Sequence, residues 1–86
     1  MGNITAAGNT EVPACLAVQQ AGFKMKRHFL QNGTEMWIAE NESMRFSGHS
    51  PLEVLGLYAM WQIRGDAWKA SNDEIDSYLS NYYPEG

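Results

Sequence analysis

The chain predicts an α+β fold: a three-stranded antiparallel meander packed on helices, in the order α-β-β-β-α-α. Three observations carry this. Residues 23–40 alternate apolar and polar side chains on either side of Asn32-Gly33, a strong hairpin signal. Residues 50–64 and 71–82 carry apolar side chains at helical spacing behind capping sequences. Glycine and proline stand at the joins.

Residues 1–9 are rich in Gly, Asn, Thr and Ala, with Ile4 isolated, and read as a loose tail before one domain spanning 10–86. Thr10 is a helix cap and Pro13 fits a first turn, so a short helix runs to Ala21, with Val12, Cys15, Leu16 and Val18 near one side and Gly22 as its left-handed stop.

From Phe23 to Gln31 the alternation puts Phe23, Met25 and Phe29 on one face of a strand, with Lys24, Lys26, His28 and Leu30 on the other. A two-residue turn at Asn32-Gly33 would pair Phe29 with Met36 and Arg27 with Ile38 inside, and Leu30 with Glu35 and His28 with Trp37 outside. Arg27 is the misfit, expected near the sheet end or else reaching out with its stem packed and its head in water. Met44–Ser47 forms a third strand, and a three-residue loop Asn41–Ser43 would keep Met44 inside and set Phe46 opposite Ile38.

Ser50-Pro51-Leu52-Glu53 spells a helix start, and Gly65 ends that helix after Arg64. Along it Leu52, Leu55, Ala59 and Ile63 form one apolar stripe, and Val54, Leu57, Tyr58 and Trp61 a second, so the helix needs cover on both flanks. Gly56, in mid-helix, reads as a point of close approach by another element. After a bend at 65–70, Ser71 to Glu74 repeats the capping pattern, and Ile75, Tyr78, Leu79 and Tyr82 follow at helical spacing before Pro84.

Composition narrows the function classes. Hydrophobic residues make up 44% and aromatics 12%, which argues for a folded core and not for disorder. Ten acidic against six basic side chains leave a net charge of −4, which repels phosphate backbones. The single cysteine excludes an intrachain disulfide and fits the cytoplasm. No stretch reads as a signal peptide or spans a bilayer, so no membrane is expected. Asn3, Asn32 and Asn41 head glycosylation tripeptides that, without secretion, mark turns only.

No chemistry assembles from spacing. Cys15, His28 and His49 are assigned to a helix, a strand and a loop, so no metal is expected. Cys15 reads as a packed thiol, not as a nucleophile served by His49. Glu40 and Glu42 flank a turn, while Asp73, Glu74 and Asp76 answer a helix dipole. No glycine-rich phosphate loop is present, no cofactor is expected, and the chain does not read as an enzyme.

The aromatics remain. Trp37, Tyr58, Trp61, Trp68, Tyr82 and Tyr83 are the candidate partner-binding residues, and they suggest a small protein-binding module or regulator that engages an unidentified protein or a second copy of itself. The alternative is a nucleic-acid-binding module that uses the sheet's outer face, with Lys24, Lys26 and His28 for charge and Trp37 for stacking; the acidic balance disfavours it. Over residues 10–64 the element order resembles that of double-stranded RNA-binding domains. Those domains grip phosphate with lysines at the start of their second long helix. Here that start reads Ser50, Pro51, Leu52, Glu53, so only element order is shared and it implies no function.

Overall fold

Local hydrogen bonds set the helix ends, and burial of a small aromatic core sets everything between them. The computed structural model describes residues 2–6 and 8–84; of the predicted tail and domain, Met1, Ala7, Glu85 and Gly86 lie outside the described residues. Helix α1 (Glu11–Gln20) leads to strands β1 (Lys24–Phe29), β2 (Glu35–Glu40) and β3 (Arg45–Gly48), then helix α2 (Pro51–Arg64), a 3-10 turn (Gly65–Ala67) and helix α3 (Asn72–Tyr82). The strands form one antiparallel sheet in the order β1-β2-β3, and the fold is the predicted α+β class. Residues 2–6, 8 and 9 carry no helix or strand.

Helix α1 ends as its sequence predicts. Gly22 adopts φ +100°, its N–H donates to the Gln19 carbonyl at 3.0 Å, and the Phe23 N–H reaches back to the Val18 carbonyl at 3.4 Å. This is a Schellman closure, and its usual apolar contact is made by Phe23 and Val18, both in the core. The start differs from expectation: the Thr10 side chain caps nothing. The apolar side differs too, because Ala14 and Val18 are the buried residues of α1 while Val12 and Leu16 are exposed.

The hairpin is present but its register is one residue away from the predicted one. Met25 pairs with Ala39, Arg27 with Trp37 and Phe29 with Glu35. The loop has three residues, Gln31–Gly33, closed by the Leu30 N–H to the Thr34 carbonyl (2.8 Å) and the Gly33 N–H to the Leu30 carbonyl (2.9 Å), with Gly33 at φ +84°. A one-residue slip exchanges the faces of β2, so Trp37 and Ala39 lie inside while Met36 and Ile38 lie outside. The second turn, Glu42-Ser43, is by contrast one residue shorter than expected. It sets Phe46 opposite Ala39, not Ile38, and Asn41 Oδ1 accepts the Ser43 and Met44 N–H groups at 2.8 Å.

Core composition explains this choice. An indole buries more apolar area than Met36 or Ile38, and Ala39 leaves room for Phe46 beside it and for the two helices above. Val18, Ala39 and Val54 are at most 1% exposed, and with Phe23 and Phe46 they form the buried cluster. Tyr58 and Trp61 close it: the Tyr58 ring centroid lies edge-on 5.3 Å from Phe23 and 5.9 Å from Phe46, and Trp61 lies tilted 5.8 Å from Phe46. The second stripe of α2 is therefore the one that faces the sheet.

The close approach expected at Gly56 is found instead at Gly48. A Cβ on Gly56 would meet only Met60 Cε, at 4.0 Å, so nothing approaches closely there. On Gly48 it would lie 2.9 Å from Glu53 Oε1, so β3 passes close to the Glu53 side chain and a larger residue there would displace it.

Candidate functional site

Two apolar surfaces lie outside the core, one at each end of α2. With fourteen residues, α2 is about 20 Å long, and this length separates them.

The first is a cleft of about 520 Å³ at the start of α2. One wall comes from α1 (Glu11, Val12, Cys15, Leu16), the second from β2 (Glu35, Trp37), and the third from the approach to α2 (His49, Ser50, Pro51). It exists because the hairpin projects past the helices that cover the rest of the sheet: Phe29 and Leu30 at its far end are exposed, and Trp37 is half-buried. Arg27 lies over the Phe29 ring at 4.5 Å and is ion-paired with Glu35, its head in water as the sequence predicts.

The third wall is held by caps. Ser50 Oγ accepts the Glu53 N–H at 3.1 Å, and the Glu53 carboxylate accepts from the His49 N–H at 2.8 Å, one residue upstream of a reciprocal box. Glu11 reaches from α1 to accept the Leu52 N–H at 3.0 Å, a tertiary cap between residues 41 apart in the chain. No local pattern announces that bond.

Cys15 is thus half-buried in a cleft wall, not packed in the core as expected, and it shares that wall space with His49 and two carboxylates. Among the described residues no hydrogen bond joins Cys15 to His49; the imidazole Nδ1 instead lies 3.4 Å from Glu53 Oε1. Nucleophile and base need hydrogen-bond contact to act together. Among the described residues no group of three or more His, Cys, Asp or Glu is arranged to hold a metal ion.

The second surface is α3. Its start is the predicted capping box, complete in both directions: Ser71 Oγ accepts the Glu74 N–H at 3.2 Å, and the Glu74 carboxylate accepts from the Ser71 N–H at 2.9 Å. Arg64, at the end of α2, donates to both Glu74 oxygens and to the carbonyl of Trp68. The Ser71 N–H first, and Arg64 second, hold the Glu74 carboxyl below the usual glutamate range. Beyond that tie, no helix or strand among the described residues packs extensively on α3, and every residue from Ser71 to Pro84 is exposed. Tyr78 lies 5.3 Å from Tyr82 and 5.9 Å from Tyr83, so the aromatic rings of α3 meet one another.

The six candidate partner-binding residues are therefore dispersed. Trp37 lies in the cleft, Tyr58 and Trp61 seal the core, and Tyr82 and Tyr83 belong to α3. Trp68 borders a smaller cavity of about 240 Å³ with Phe46, Leu57 and Trp61. The four residues of the nucleic-acid alternative are divided as well. Lys24, Lys26 and His28 share the outer face while Trp37 lies inside, and Lys26 Nζ is 2.7 Å from Glu40.

Sequence reasoning missed Val12, Leu16 and Glu11 as cleft residues. Their exposure depends on how far the hairpin overhangs α1, which no local pattern encodes. Among the described residues no helix is long and apolar enough to cross a membrane. Comparison with family models, with curated proteins and with solved structures returns no match to this chain.

Proposed function

We propose that this chain is a small protein-binding module that lays α3 into a groove on another protein. One observation supports it above the others: Ile75, Tyr78, Leu79 and Tyr82 stand at i, i+3, i+4 and i+7 on one face, and no helix or strand among the described residues packs extensively against it. That spacing is the anchor pattern of helix-in-groove recognition. Tyrosine adds contact area with few torsions to freeze. Tyr78 remains 54% exposed, so its apolar surface is available to a partner.

Charge favours a partner of the opposite sign. Helix α3 carries Asp73, Glu74 and Asp76 and no lysine or arginine, so a groove with basic rims suits it and a second copy of an acidic chain suits it less. The lone cysteine favours a reducing compartment such as the cytoplasm. The nucleic-acid alternative has less support, because its cationic residues and its stacking residue face opposite ways.

A photo-crosslinking residue at Tyr78, compared with one at Ser77 on the opposite face, tests the reading in the native host. The expected result is a partner protein captured from position 78 and not from 77, and lost in the Leu79→Ala variant. A crosslink between two copies would assign α3 to self-association. Equal capture from both positions, or none, overturns the proposal.

A further inference from the structure

We infer that α3 is held as a helix at one end only in the free chain, that its far turns fray into coil, and that docking completes it. Ser71, Glu74 and Arg64 then set the affinity for the partner without touching it. This rests on the reading of α3 as the docking element and adds how that element is controlled.

Length and composition argue for it. An unsupported helix in water is marginal below about 12–15 residues, and most helices owe their stability to a packed face. Helix α3 has eleven residues, and no helix or strand among the described residues packs extensively on it. Asn, Asp, Ser and Tyr, all weaker helix formers than alanine, fill eight of those eleven positions. No lysine or arginine lies within α3, so no ion pair between successive turns braces it.

The two ends are unequal. At the start, Ser71 and Glu74 cap each other's N–H groups, and Arg64 clamps Glu74 to the end of α2 at 3.0 Å. At the far end the last turn carries no basic residue, and Tyr83 donates its N–H to the Leu79 carbonyl at 2.8 Å without a glycine stop. Pro84 has no N–H to carry the ladder further. Fraying therefore starts at Tyr82 and runs back toward Glu74. Tyr78, Leu79 and Tyr82, three of the four docking anchors, stand in the turns it reaches.

A partner groove supplies the apolar contact that the rest of the chain does not, so binding and completion of the helix are one event. When only a fraction of the chains carries the finished helix, apparent affinity falls by that fraction, and a residue that shifts the fraction shifts the affinity. Ser71, Glu74 and Arg64 are positioning residues of this kind.

Backbone carbon chemical shifts of the full free chain, read beside crosslink capture from position 78 in the native host, test this. Helical shifts are expected to decline from Glu74 to Tyr82 while those of α2 stay uniform. Ser71→Ala is expected to lower the helical signal of α3 and the capture together, by about two- to fivefold, with the shifts of the sheet unchanged. Adding Ser77→Ala, Ser80→Ala and Asn81→Ala, at helix positions away from the anchors, is expected to restore both. Uniform helical shifts as far as Tyr82 in the free chain overturn the inference, and so does capture that stays constant while the shifts move. No capture from the parent overturns the docking reading instead, and the shifts still decide whether α3 frays.

Discussion

Arg64 Nη2 lies 3.0 and 3.2 Å from the two carboxylate oxygens of Glu74, and among the described residues this is the only ion pair that ties α3 to the rest of the fold. The pair is well exposed, so it directs the helix more than it stabilises the domain. Arg64→Ala is expected to leave the midpoint of global unfolding almost unchanged while amide exchange over residues 72–82 accelerates. Hydrogen exchange resolved by segment checks this; equal exchange in both proteins would show that the capping box alone holds the helix.

Acid should act on the same contact. The folded-state pKa of Glu74 is depressed, so its contribution is fully present above the unfolded value and is lost as pH falls through the folded one. Helicity of α3 is therefore expected to be constant between about pH 6 and 8 and to fall below about pH 4. Glu74→Gln should flatten that acid limb when far-ultraviolet circular dichroism is followed against pH.

The two glycines should respond in opposite directions. Gly56→Ala adds a methyl in open space inside a helix and is expected to raise stability by up to about 1 kcal/mol, a rise of roughly 4–8 °C in Tm. Gly48→Ala drives a Cβ against the Glu53 side chain that caps the His49 N–H, and is expected to lower Tm. A Gly56→Ala protein less stable than the parent would mean that another element does approach α2 there.

The aromatic core should separate from the first apolar stripe of α2. Phe46→Ala removes the ring that meets Phe23, Tyr58 and Trp61, with an expected loss of about 3–5 kcal/mol by urea unfolding. Ile63→Ala, at a side chain 83% exposed, should fall within about 0.5 kcal/mol of the parent. A large loss at Ile63 would place hidden cover over that stripe.

The sequence by itself determined the features whose hydrogen bonds close within a few residues. The Gly22 stop and the Ser50 and Ser71 caps are of this kind, because a cap needs only the neighbours that the chain already supplies, while the three strands were legible from their alternation and the turns between them. The α+β class followed from them. Tertiary structure decided the rest. Asn32-Gly33 is compatible with a two- or a three-residue loop, and only the burial of Trp37, Ala39 and Phe46 beneath Val18 and Val54 selected the second. That choice turned Trp37 from the outer face to the inner, separated it from Lys24, Lys26 and His28, and put it in the cleft. The Glu11 cap on Leu52 and the uncovered face of α3 likewise depend on distant parts of the chain meeting or failing to meet, a property of the whole assembled core and not of any short stretch within it.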